Sequence, residues 1–139
     1  MTIFVDTSAI VAAMNAGDIH QGAATRAWGG FLEAKTPMIT TNYVIVESLA
    51  VAQGRLGFAA VRALLEEIFP LLRVEWIEEG AHRSAAAALL ATNRRSVGLV
   101  DLTSFETMRR LGIRTAFAFD HHFTEYGFET VPHPARGRS

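Results

Sequence analysis

Ile3-Phe4-Val5 and Ala116-Phe117-Ala118-Phe119 are apolar at every position, and an aspartate closes each run. A strand with one face in water alternates apolar and polar side chains; a strand without alternation is buried on both faces. Between such runs the chain repeatedly takes up helical spacing. Buried strands that alternate with helices make a parallel sheet covered on both sides, because each return to the starting edge needs a crossover long enough to hold a helix. The sequence therefore predicts a three-layer α/β/α fold with a central parallel sheet.

The segments follow from local signals. Thr2 to Val5 reads as a strand and Ser8 to Met14 as a helix, with Thr7 or Ser8 as its cap. Asn15 to Asp18 is a break. His20 to Ala34 is helical, weakened by Gly29-Gly30. Pro37 precedes a strand at Met38 to Thr40. A helix starts at Thr41 or Asn42 and runs to about Arg55. Gly57 separates it from a helix over Phe58 to Leu71, which Pro70 interrupts. Arg73 to Ile77 alternates and reads as a strand. Glu79 to Asn93 is an alanine-rich helix. Gly98 precedes a helix from Leu99 or Asp101 to Leu111, ended by Gly112. Thr115 to Phe119 is a strand, His121 to Tyr126 a helical turn, and Phe128 to Val131 a last strand. The tail from Pro132 is expected to be loose. No repeat or second domain is visible, so residues 1–139 are expected to form a single domain.

Ligands of open parallel sheets bind beyond the carboxyl ends of the strands. Asp6 and Asp120 stand at such ends, and Asp101 opens a helix expected at the same edge. Glu47 interrupts the run Tyr43-Val44-Ile45-Val46, and its neighbours at three and four positions are apolar or aromatic. Taken singly, Asp6 and Asp101 read as helix caps and Asp120 as a turn residue. Taken together, four acids beside buried segments call for a shared compensating charge. A hard divalent cation, Mg²⁺ or Mn²⁺, prefers such oxygen ligands. It activates water near neutral pH and offsets charge on a phosphoryl oxygen. Without it the carboxylates repel one another and raise each other's pKa.

Other chemistries find less support. There is no cysteine, which excludes disulfides, thiolate catalysis and cysteine zinc sites. The histidine spacings of zinc hydrolases are absent. No Gly-x-Ser-x-Gly elbow or phosphate-binding Gly-rich loop occurs, and Lys35 is the sole lysine. His121-His122 follows Asp120 directly; one of the pair either approaches the site or steadies the turn. The formal net charge of −1 argues against strong non-specific affinity for nucleic acid. Twelve of the thirteen basic residues are arginine, however, and local arginines grip phosphate in bidentate fashion. No apolar run suits a bilayer span, and the N-terminus lacks the flank of a signal peptide, so a cytoplasmic protein with no membrane partner is expected.

The same residues resemble the motifs of PIN-domain nucleases. Val5-Asp6-Thr7-Ser8-Ala9 resembles their opening motif, and Thr41-Asn42-Tyr43-Val44 through Glu47 the second. Leu99-Val100-Asp101-Leu102-Thr103-Ser104-Phe105, with Met108 and Leu111-Gly112-Ile113, resembles the third. Ala118-Phe119-Asp120, with His122-Phe123 and Gly127-Phe128, resembles the closing motif. A short chain of this kind is most similar to the VapC-type toxins of bacterial toxin–antitoxin pairs. The resemblance implies a Mg²⁺- or Mn²⁺-dependent endoribonuclease, a homodimer, and a small antitoxin whose tail occupies the active groove. It implies Asp6, Glu47, Asp101 and Asp120 as catalytic metal ligands and Ser8 as a hydroxyl that orients the first carboxylate or a metal-bound water, with Thr41 in a similar supporting role. The chain departs from the pattern at Gly98, where many relatives carry serine. It departs again at Arg94-Arg95-Ser96, where many carry an acid; these arginines either touch substrate phosphate or lie in an exposed loop. Two alternatives stay open: a housekeeping RNA-processing nuclease without an antitoxin, and a PIN-like RNA-binding module with weak or lost catalysis. A haloacid-dehalogenase phosphatase needs a second aspartate where this chain has Ser8.

Overall fold

The computed structural model describes residues 1–133. The expected loose tail falls almost wholly on residues 134–139, outside the described residues. Five strands form one sheet: β1 (Ile3–Val5), β2 (Met38–Thr41), β3 (Arg73–Glu75), β4 (Thr115–Phe117) and β5 (Glu129–Val131). Their order is β3-β2-β1-β4-β5, and every neighbouring pair is parallel. The helices are α1 (Thr7–Met14), α2 (Gln21–Glu33), α3 (Asn42–Val51), α4 (Phe58–Ala63), α5 (Glu79–Thr92), α6 (Leu99–Leu111) and α7 (His122–Glu125). The all-parallel sheet foreseen from the unalternated strands is present.

Strand register shows why both faces are buried. Val5 pairs with Phe117 and Phe4 with Ala116, so Phe4 and Phe117 point to opposite faces. On one face Phe117 meets Phe31 and Trp28 of α2 at 5.2 and 6.2 Å between ring centroids. On the other, Phe4 meets Phe123 of α7, which Phe105 of α6 contacts edge-on at 4.9 Å. Phe4, Phe105, Phe117 and Phe123 are fully buried. Each such ring contributes about 1.5–3 kcal/mol through removal from water, so these two aromatic clusters clamp helices to both sides of a three-residue strand.

Some elements differ from the sequence reading. Strands β3 and β4 end two residues earlier than expected, at Glu75 and Phe117. The amide of Phe119 leaves the ladder and donates instead to Ser8 Oγ at 3.0 Å. The cap of α1 is Asp6 rather than Thr7 or Ser8, because the Asp6 carboxylate reaches the Ser8 amide. The helix expected over Phe58–Leu71 is α-helical to Ala63, widens to a π turn over Leu64–Ile68 and closes as a 3₁₀ turn at Phe69–Leu71. Pro70 has no amide to continue the α ladder. A second π turn, Ala52–Leu56, extends α3. Gly112 ends α6 as expected, at φ 71°, a left-handed conformation that suits glycine.

The strand order reverses direction at one place. The chain steps from β1 to β2 to β3 in one direction, then crosses to β4 and β5 on the other side of β1. The crevice above β1 and β4 is the switch point at which open parallel sheets bind ligands.

Candidate active site

A cavity of about 350 Å³ opens at that switch point, and Asp6, Glu47, Asp101 and Asp120 all line it. Four segments far apart in sequence supply them. Asp6 follows β1 and caps α1. Glu47 projects from α3. Asp101 sits in the first turn of α6, and Asp120 lies in the loop between β4 and α7. Ser8 lines the same cavity.

Each aspartate is anchored through a single oxygen. Asp6 Oδ2 accepts from the Ser8 amide at 3.1 Å and from Ser8 Oγ at 2.6 Å. Asp101 Oδ2 accepts from the Gly98 amide at 3.1 Å. Asp120 Oδ1 accepts from the His122 amide at 2.9 Å. The second oxygen of each, Oδ1 of Asp6 and Asp101 and Oδ2 of Asp120, has no hydrogen-bond donor among the described residues. Glu47 likewise makes no hydrogen bond or ion pair among them. The anchors account for the capping roles that each acid has singly, and they leave a carboxylate oxygen over in every case.

Electrostatics follow from this crowding. Asp6 is buried, and its carboxyl is pushed up from 3.8 to about 7. Burial is the main cause; the two Ser8 hydrogen bonds oppose it, and the charges of Asp101 and Asp120 add to it. Asp101 is raised as well, first by burial and then by Asp120 and Glu47, against the Gly98 amide and His122. Two mutually repelling, desolvated carboxyls are thus left with a raised affinity for protons, and a cation bound between them would relieve the repulsion.

His122 is buried, with Nδ1 2.7 Å from Asp120 Oδ1 and 3.9 Å from Asp101 Oδ2. The shorter approach lacks hydrogen-bond alignment, and neither ring nitrogen has a hydrogen-bond partner among the described residues. His121 is exposed and faces Glu125 at 3.4 Å, so the two histidines take up both of the roles weighed for the pair. Asp120, His121 and His122 offer ligand atoms within 4.8 Å of one another. No trio of the four acids closes to that distance among the described residues. The four acids line one cavity, and a hydrated divalent cation, which keeps several waters, needs only one or two carboxylates directly. The hard oxygen donors, the uncommitted oxygens and the orphaned imidazole fit a divalent metal.

The supporting residues divide. Ser8 bridges two segments, giving its proton to Asp6 and accepting the Phe119 amide. Thr41 is buried and accepts from the Val44 amide at 3.2 Å, which makes it the cap of α3. Gly98 supplies its amide to Asp101 but has no side chain for the reciprocal cap. Arg94 pairs with Glu125 at 2.9 Å, tying the α5–α6 loop to α7, and Arg95 is exposed. Among the lining residues that sequence reasoning did not mark are Arg55, His20 and Phe119. Arg55 is exposed on the π turn that extends α3, and π turns are frequent at functional sites. The wider winding of that turn brings it round toward Glu47, eight residues earlier, and no local sequence signal marks it.

Residues 3–129 match the PIN domain family. The chain is 38% identical over 131 residues to the 23S rRNA-specific endonuclease VapC20 of Mycobacterium tuberculosis, covering 93% of this chain and 97% of that protein. It superposes on the crystal structure of M. tuberculosis VapC20, described as a sarcin–ricin-loop-cleaving toxin, with a TM-score of 0.74 and 36% identity over 91% of this chain and 95% of that one. FitAcB of Neisseria gonorrhoeae shares the fold, with a TM-score of 0.67 at 13% identity over 94% of this chain and 96% of that one.

Proposed function

The chain belongs to the PIN-domain family, and from that premise we propose that it is an endoribonuclease, the toxin of a toxin–antitoxin pair, acting as a single PIN domain on RNA phosphodiester bonds. The observation that carries this is the set of three aspartates anchored through one oxygen and open at the other, around one cavity. Asp6, Glu47, Asp101 and Asp120 would hold Mg²⁺ or Mn²⁺. The cation supplies positive charge at the phosphate and acidifies the water that attacks it.

The remaining roles belong to the chain. Ser8 fixes Asp6 against the β4–α7 loop, and Gly98 fixes Asp101, so the open oxygens keep their direction. Arg55 is the arginine that lines the cavity, and it makes no ion pair among the described residues. It is free to take a phosphate oxygen in bidentate fashion. The identity of the chain to an enzyme named for 23S rRNA supports structured ribosomal RNA as the substrate class.

We also infer an antitoxin and a homodimer. Helix α1 borders both the acidic cavity and an apolar groove lined by Ile10, Met14, Trp28 and Ile68. A short inhibitor running along α1 covers both. Val46, Phe58 and Leu65 expose apolar side chains at 66%, 65% and 51%, which supports burial against a second copy. No helix among the described residues is long and apolar enough to cross a membrane.

Incubation of purified protein with ribosomal RNA, with Mg²⁺, with Mn²⁺ and with EDTA, tests the activity. Discrete cleavage products that need the metal are expected. Intact RNA under all three conditions overturns the reading, and light scattering at micromolar concentration tests the dimer.

A further inference from the structure

Three rings climb from the core to the mouth of the acidic cavity. Phe117 is fully buried. Phe119 is half-buried and lies edge-on to it at 6.3 Å. His20 lies flat on Phe119, with centroids 4.5 Å apart and planes 15° from parallel. His20 is exposed, and no second ring stacks on it among the described residues.

This pair is held from both sides. The Phe119 amide donates to Ser8 Oγ, the hydroxyl that also binds Asp6. The His20 amide donates to Asp18 Oδ1 at 2.7 Å, an Asx turn that sets the entry to α2. Asp18, His20 and Phe119 all line the cavity that holds the acids. A flat, preorganised surface therefore stands beside the carboxylates, linked to Asp6 through Ser8. Ile19, next to it, is 91% exposed and adds apolar surface at the rim.

Proteins that read single-stranded or looped RNA unstack a base and lay it on an aromatic or planar side chain. We propose that the His20–Phe119 pair is a stacking platform for an RNA base next to the scissile phosphate, with His20 as the residue in contact. This rests on the ribonuclease reading above, and it names a specificity-determining surface for that activity. The alternative is that His20 merely pins the α1–α2 loop to the sheet edge. The two differ in what His20 does for binding as against stability.

The test uses Asp101→Asn protein, which keeps the His20 side of the cavity and does not cut, and short stem-loop oligoribonucleotides of ribosomal RNA sequence carrying 2-aminopurine at successive loop positions. Quenching of the fluorophore at one position on binding is expected. In the Asp101→Asn, His20→Ala double variant that quenching disappears and affinity falls about 10-fold, within the range for loss of one base–aromatic stack. His20→Trp in the same background keeps both, because a plane is required and a proton is not. Melting curves of the Ala and Trp variants are expected to match. Equal quenching and affinity in the Ala variant, or a loss of stability that accounts for the whole effect, overturns the platform. Cleavage by the protein with intact carboxylates is measured alongside. RNA that stacks but is never cut upholds the platform and overturns the ribonuclease reading, whereas RNA that is cut equally well with His20→Ala does the reverse.

Discussion

Ser8 gives its hydroxyl proton to Asp6 across 2.6 Å, and its oxygen receives the Phe119 amide across 3.0 Å. One small side chain thus joins the end of β1 to the loop after β4. Ser8→Ala removes the link but leaves all four acids in place. We expect a fall in kcat of about 10-fold, with partial rescue by Ser8→Thr, as for loss of a residue that holds a ligand in position. Of the two Ser8 hydrogen bonds that hold the Asp6 carboxyl down, only the backbone one remains, so the carboxyl rises further. The rate–pH profile should shift upward, and an unchanged profile would argue against the positioning role.

Asp101→Asn preserves shape and removes a charge from the cavity. Cleavage should drop on the order of 100-fold or more, the size typical for loss of preorganised electrostatic stabilisation. Metal binding should show in stability as well. A ligand that binds the folded state alone stabilises it by about 2.7 kcal/mol at a hundredfold excess over its dissociation constant. For a domain of this size that is roughly 10 °C in melting temperature. Scanning fluorimetry in EDTA, Mg²⁺ and Mn²⁺ should show the rise for the natural sequence and little of it for Asp101→Asn. Superimposable curves in all three conditions would mean that the acids are caps and nothing more.

The metal-free protein should lose stability as pH rises. Asp6 titrates near 7 when folded and near 3.8 when unfolded, so between those values the folded chain holds a proton that the unfolded chain has released. Stability is then fully present below about 4, falls through the window, and levels off above about 7. Asp101 is shifted in the same direction and adds to the slope. Melting temperatures in EDTA should fall between pH 5 and pH 8, and Asp6→Asn should flatten the trend. Metal affinity should climb over the same range, since the cation competes with the proton. A metal-free protein that grows more stable toward pH 8 would contradict the burial of Asp6.

Arg55→Ala should raise KM several-fold and leave kcat nearly unchanged, because a phosphate held equally in ground and transition states contributes to binding alone. Arg55→Lys should recover less than half of the loss, since the forked contact is absent. A fall in kcat at constant KM would place Arg55 in the chemical step instead.

Much of this molecule was readable before folding was known. Unalternated strands such as Ile3-Phe4-Val5 require two covered faces, and that requirement alone leads to the parallel sheet. The acids were legible because a carboxylate next to a buried run is costly. Arg55 and His20 were not. Eight residues along a regular α-helix leave Arg55 about 80° off the direction of Glu47. The wider winding at Ala52–Leu56 reduces that offset, and nothing in Ala-Gln-Gly-Arg-Leu announces it. His20 matters through Phe119, a contact between loops that no local pattern encodes. The early end of β4 has the same origin: the amide of Phe119 bonds to a serine 111 residues away rather than to the neighbouring strand.

That long reach also sets the timing of activity during synthesis. A ribosome that has made everything up to α6 has delivered Asp6, Glu47 and Asp101, but not Asp120, and β1 lacks the neighbour that the Val5–Phe117 register provides. The amino-terminal portion has no complete set of carboxylates and no fixed Ser8. An emerging polypeptide therefore has neither Asp120 nor the Ser8–Phe119 link until the residues after α6 have been released.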